Sequence, residues 1–156
     1  MRWVITPAVV VLFVLLPGGG GDNPLHAAAA QQKGSRVDLV QVQLLVPKKV
    51  QIGKAFRVVD EVENQGEALA FQSITGFYLS EDDQWDEKDV LVGGRRVPQL
   101  GKEQRHEQIT PVTLKPEIVP GNYYFLALAD AKHQLEERYR ENNLRAVPIL
   151  VLPAAK

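Results

Sequence analysis

Beyond residue 30 the chain is built of short apolar stretches that recur about every fifteen residues, each cut off by Gly, Pro or Asn. No long segment keeps a 3.6-residue apolar period, so a helix would have no face to bury, and this rhythm fits strands joined by turns. Val40, Val42, Leu44 and Val46 alternate with Gln41, Gln43 and Leu45, which predicts a half-buried first strand stopped by Pro47. Phe56, Val58 and Val62 share one phase of a second strand that ends in the turn Asn64-Gln65-Gly66. Asp60 falls in the same inward phase and needs either a bend or a donor, because an unpaired buried carboxylate is costly. Residues 71–80 carry Ile74, Phe77, Tyr78 and Leu79 and are apolar on both faces, as in a strand central to its sheet.

Residues 90–92 and Val97 bracket Gly93-Gly94, predicting a short, irregular strand that the two glycines weaken. A Thr- and Val-rich fifth strand spans 108–114 and ends at Pro116. The sixth, 123–129, and the seventh, 144–152, are apolar on both faces, and Pro148 places the second half of the seventh at an edge or a bulge. Seven strands in about 115 residues predict an all-β fold, a seven-stranded β-sandwich of immunoglobulin or fibronectin-III type. Gly121-Asn122-Tyr123 opens the sixth strand, where such sandwiches place a corner tyrosine whose hydroxyl bonds back to an upstream backbone group; the plainer reading of Tyr123 is a core aromatic. Phe125 stands where antibody domains have their second cysteine, and its ring would fill the inter-sheet volume that a disulfide occupies elsewhere.

The first 30 residues differ from the rest. Arg2 gives a minimal positive start, residues 8–16 are an unbroken apolar run, Pro17 and the glycines 18–21 break it, and residues 27–30 are all Ala. This is the layout of a secretory signal peptide, and the apolar run is about half the ~20 residues needed to cross a bilayer. Cleavage after Ala30 would remove 30 of the 156 residues and leave 126, beginning with a polar leader at 31–36 and continuing as a domain over 37–153. The expectation is a secreted, periplasmic or cell-surface protein, free of lipid because no Cys is present to carry one, with no integral span after cleavage. Eighteen Lys and Arg against 19 Asp and Glu give no basic excess for nucleic acid or anionic lipid. Zero Cys removes disulfides, thiolate metal sites and a Cys nucleophile together.

In order along the chain stand Asp38-Leu39-Val40, Asn64-Gln65-Gly66, Phe77-Tyr78-Leu79-Ser80, Asp86 and Asp89, Leu100-Gly101, Pro120-Gly121-Asn122-Tyr123-Tyr124, Ala129-Asp130, Glu137 and Asn142-Asn143. This series resembles the CARDB family, a bacterial cell-adhesion-related domain of immunoglobulin-like fold, over nearly all of 37–152. The family's stretch between its last two strands resembles D-x-x-N-x-V-x-E-x-x-E-x-N-N. Asp130, Leu135, Glu137, Asn142 and Asn143 fit it, whereas His133 replaces the Asn and Arg140 the second Glu. The inverted charge at Arg140 deprives any cation role of that loop of one ligand. The resemblance implies the fold more strongly than the task.

Glu81, Asp82, Asp83, Asp86, Glu87 and Asp89 form the densest charge cluster. Asp82, Asp86 and Asp89 could supply some of the oxygens that calcium prefers, but the EF-hand spacing and its Gly are missing and Lys88 intrudes, which leaves a solvated acidic loop as the plainer reading. No other cofactor is expected. Trp85 inside that loop either folds back as a lid over the sandwich edge or stands exposed as a contact residue. Arg95, Arg96, Lys102, Arg105 and His106 make a basic counterpart that could steer a partner or pair with the acidic loop across neighbouring turns. His106 and His133 lie in no nucleophile motif, and there is no H-E-x-x-H, G-x-S-x-G or phosphate loop, so catalysis is not expected. Around Leu135 and Tyr139 one helical turn would fit, but an ordered loop, with Asn142 and Asn143 satisfying backbone groups, explains the polar residues better.

These features lead to a non-catalytic exported module that binds a protein or glycan in the envelope or at the cell surface. Its expected contacts are Trp85 with Asp82, Asp83, Asp86 and Asp89, and its structural residues are Asn64, Gly66, Gly121, Tyr123, Phe125, Asn142 and Asn143. The alternative is a periplasmic structural or assembly subunit that pairs an edge strand with a partner protein.

Overall fold

The computed structural model describes residues 37–155; the expected signal peptide and polar leader lie outside them. Eight strands are present: β1 Leu39–Leu45, β2 Lys49–Gln51, β3 Ala55–Asn64, β4 Ser73–Ser80, β5 Val90–Val97, β6 Arg105–Thr113, β7 Gly121–Leu128 and β8 Leu144–Leu152. They form a three-stranded sheet in the order β1-β3-β6 and a five-stranded sheet in the order β2-β8-β7-β4-β5. All pairs are antiparallel except β2 with β8, which run parallel. The fold is therefore the expected all-β sandwich with one strand more than the seven predicted. The extra one is β2, into which the chain turns after Pro47, so that β1 belongs to one sheet and β2 to the other.

Alternation accounts for most of the inward residues, and bulges account for the exceptions. In β1 the pairing with β3 shifts between Gln41 and Gln43, so Leu39, Gln41 and Leu44 point inward in place of the simple Val40-Val42-Leu44 phase. In β4 the register with β5 shifts between Phe77 and Tyr78. The extra residue is Val92 of β5, beside Gly93-Gly94, so β5 is irregular as expected, although at eight residues it is not short. Gly94 is required there, because a Cβ would come within 2.7 Å of the Thr75 carbonyl oxygen. Phe71 lies before β4 and is exposed. Pro148 does not leave the second half of β8 open: β2 covers Leu150 to Leu152, and among the described residues it is the first half that has no strand partner on that side.

The apolar core is divided. One cluster centres on Val58, Phe77, Leu79, Val112, Phe125 and Ile149, the other on Val37, Leu39, Val62, Val97, Leu100 and Ala129. Phe125 does fill the inter-sheet space, with Phe56 of the opposite sheet edge-on at 6.0 Å and Phe77 at 5.8 Å. Between the clusters, where β3 passes from Val62 to Val58, sits Asp60. Its carboxylate is fully buried and receives Arg95 Nε at 2.7 Å and Nη2 at 2.8 Å, with Gln41 Nε2 at 3.1 Å. The donor that Asp60 requires thus comes from β5, so a bidentate ion pair joins the two sheets.

Two more side chains set the loops. Asn64 accepts the Gly66 and Asp38 amides through Oδ1 and donates through Nδ2 to the Ala68 and Leu100 carbonyls, tying the β3 end to two other segments. The Tyr123 hydroxyl donates to the Val119 carbonyl at 3.0 Å, four residues upstream, as a corner tyrosine does.

Candidate functional site

The polar loop from Asp130 to Asn143, which joins β7 to β8, is organised around two carboxylates. Asp130 takes a left-handed backbone, φ 44°, and its Oδ1 and Oδ2 accept the amides of Gln134 and Leu135 at 3.0 Å each. Glu137 Oε2 accepts the Leu39 amide at 2.9 Å, and Oε1 accepts Asn143 Nδ2 at 2.8 Å. Asn142 donates to Asp38 Oδ1 at 2.8 Å, so the Asn pair anchors the loop to the start of β1 and to Glu137, and no helical turn forms. Burial raises the Glu137 carboxyl above its ordinary value, while the Leu39 amide, Asn143 and Arg140 work against that rise.

Arg140 reaches into this arrangement. Its Nη1 lies 3.5 Å from Asp130 Oδ2 and 3.5 Å from Glu137 Oε1, and both carboxylates are fully buried. Nη1 also donates to His133 Nδ1 at 2.8 Å, and Nη2 donates to the Leu135 carbonyl. A guanidinium cannot accept, so the His133 proton must sit on Nε2. His133, like Asp130, has a positive φ, 50°; non-glycine residues in that region cost strain that the loop's hydrogen bonds must hold.

Trp85 meets the loop from the other side. It is half-buried, packed edge-on against Tyr78 at 5.9 Å and against His133 at 6.4 Å. The indole therefore folds back over the outer face of the five-stranded sheet and keeps one side accessible. Burial pushes the Tyr78 phenol above 10.0, with Trp85 opposing and Asp89 adding to the shift. Beside the indole is a depression of about 320 Å³ whose rim includes Gln84, His133, Arg140, Glu141 and Asn143. A larger apolar groove, about 720 Å³, runs between Leu44, Leu45 and Val46 on one side and Tyr123, Val147 and Ile149 on the other.

The acidic loop does not converge on a point. Asp82 Oδ1 accepts the Gln84 amide, Asp86 Oδ1 the Lys88 amide and Asp89 Oδ2 the Asp86 amide, while Asp83 Oδ1 accepts Gln84 Nε2. These carboxylates shape turns, and among the described residues no three His, Asp or Glu side chains are grouped to hold a metal. Three of the basic residues, Arg95, Arg105 and His106, are engaged away from the acidic loop. Arg95 is buried on Asp60, and Arg105 lies 3.2 Å from Glu63 and 4.0 Å from Glu61, all carboxylates of β3. His106 Nδ1 accepts from Arg95 Nη1 at 2.9 Å. The loop cluster of His133, Arg140 and Tyr139, the last exposed with the Arg138 guanidinium 5.0 Å above its ring, was not among the contacts expected from sequence. Its signals were His133 in place of an Asn and the charge inversion at Arg140.

The CARDB family model matches residues 36–147. No curated protein matches the chain. Among solved structures, the CARDB domain of a Pyrococcus furiosus protein in complex with di-metal ions shares the fold at a TM-score of 0.57 and 18% identity, covering 76% of this chain and 91% of that one. A domain of a putative cell surface protein from Methanosarcina acetivorans gives a TM-score of 0.55 at 18% identity, covering 76% and 94%. A β-glucosidase from Erythrobacter marinus matches at a TM-score of 0.50 and 16% identity, but the alignment spans 74% of this chain and only 16% of the enzyme, which is likeness to one domain-sized piece. With the family match running from just before β1 into the middle of β8, over the same two-sheet sandwich, the chain belongs to the CARDB family.

Proposed function

We propose that the protein is an exported, non-catalytic binding module that contacts a protein or glycan in the envelope or at the cell surface through the Trp85 end of its five-stranded sheet. The observation that carries this reading is the indole held between Tyr78 and His133 beside the depression rimmed by Gln84, Arg140, Glu141 and Asn143. A rigid aromatic face next to paired donors and acceptors is the usual make-up of a polar recognition site. Export is supported by the layout of residues 1–30, and a surface role by the family and by the cell-surface origin of the Methanosarcina relative. Nothing in the arrangement supports an enzyme: His106 and His133 both spend Nδ1 as acceptor for an arginine, and neither addresses a nucleophile.

Edge pairing has less support. Pro148 lies on the uncovered half of β8, Pro111 on edge strand β6, and the register of edge strand β5 is broken by a bulge, three devices that hinder strand addition. The metal of the Pyrococcus domain is not carried over, because the acidic loop's carboxylates are engaged with backbone amides and the Asp130–Glu137 pair already holds a guanidinium. Trp85→Ala should leave the unfolding midpoint within about 1 kcal/mol of the parent and sharply reduce retention of the mature domain on envelope fractions or whole cells. Undiminished retention would refute this site.

A further inference from the structure

We infer that Arg140 is the resident cation of the Asp130–Asn143 loop, occupying the position a metal ion would take, so that this domain folds and works independently of metal. Two buried carboxylates that face a common point repel each other and lose hydration, and a cation between them, or a proton on one of them, relieves this. Here Nη1 of Arg140 stands between Asp130 Oδ2 and Glu137 Oε1 at equal distances of 3.5 Å. The guanidinium's remaining contacts complete a ring of acceptors: His133 Nδ1 and the Leu135 carbonyl. Two carboxylate oxygens and one carbonyl oxygen are ligands that calcium or manganese accepts, with water filling the rest of the shell.

The two carboxylates are aimed by bonds in which Arg140 takes no part. Asp130 is turned by the Gln134 and Leu135 amides, its carbonyl receives the His133 amide at 2.8 Å, and Glu137 is held from both oxygens by Leu39 and Asn143. The guanidinium spaces them wider than a metal would, since calcium binds oxygen at about 2.3–2.6 Å. Arg140 itself is 37% exposed, so solvent and ions reach the position from outside.

The test uses the mature domain, thermal melts and isothermal titration with calcium and manganese, each against a chelator control. The parent should show the same Tm with chelator and with millimolar cation. Arg140→Ala should lose stability in chelator and regain about 5 °C or more at ten times the dissociation constant of the cation it then binds. Arg140→Lys, which keeps the charge, should fold without metal and show no response. A parent that melts earlier in chelator overturns the inference, as does an alanine variant that is as stable as the parent or ignores every cation while folded. If the alanine variant does not fold under any condition, the lysine variant decides: recovery of folding supports a charge requirement, and failure equal to alanine overturns it.

Discussion

Replacing Arg95 by Met tests whether the two sheets are joined by a buried ion pair. The side chains of Arg95 and Asp60 are 1% and 0% exposed, and both contacts of the bidentate pair are under 3 Å. Methionine leaves the Asp60 carboxylate with only Gln41 Nε2 as a partner, and removing one member of a buried pair costs about 3–5 kcal/mol. A domain of this size has a total stability of roughly 6–18 kcal/mol, so the loss is a large share of it, equivalent to a fall of about 12–20 °C in Tm. Urea denaturation of the domain over residues 37–153 reads the effect directly, because Trp85 is its single tryptophan, the chain's other being Trp3. The double variant Asp60→Leu/Arg95→Met should recover all but about 1–2 kcal/mol. The remainder reflects the His106 carbonyl and the Gln41 amide, which also lose partners. A loss below about 1 kcal/mol for Arg95→Met, the value of an exposed pair, would refute the reasoning, as would a double variant no better than the sum of the singles.

Tyr123→Phe should lower the urea midpoint by the equivalent of about 0.5–1 kcal/mol with an unchanged m-value, because the hydroxyl's bond to Val119 is exposed to solvent; no loss at all would mean that the corner does not hold the loop. For His106, burial first and then Arg95 push the imidazole below 6.5, with Asp60 opposing. The folded state therefore favours neutral His106, and its stabilising contribution, complete above 6.5, is lost as pH falls through the lowered folded value. Melts of His106→Gln across that range should show a shallower decline than the parent, and parallel curves would count against the assignment.

The strand pattern was legible because seven of the eight strands are apolar stretches cut off by turn residues, whether one face or both is buried. β2 is not, since three residues with a single inward Val50 carry no periodicity and its partner β8 lies about a hundred residues away. Asp60 stood out as a carboxylate in an apolar phase, but its partner was read as part of a surface patch. Arg95 shares the phase of Val97, two residues on, and that alternation could have turned it inward. The bulge in β1 was invisible, because it depends on how Gln41 meets Asn142 and Asp60. The Asp130–Asn143 loop was the least legible part. Its geometry comes from side chains bonding to backbone amides in an aperiodic segment, so charge inversion at Arg140 could be noticed without its place between Asp130 and Glu137 being seen.

The passage of the chain from one sheet to the other after Pro47 has a mechanical consequence. β2 lies near the start of the domain and β8 at its end, and they run parallel, joined by Ile52 N to the Leu152 carbonyl at 3.1 Å and Leu150 N to the Lys48 carbonyl at 2.9 Å. A pull on the two ends drags these strands in opposite directions along their own axes, so their hydrogen bonds bear the load together in shear and do not open one after another. Ile52→Pro, which removes one of those donors, should lower the unfolding force in single-molecule pulling, and an unchanged force would show that the load runs elsewhere. A domain tethered at one end and gripped at the other would be held by the shortest strand in the fold.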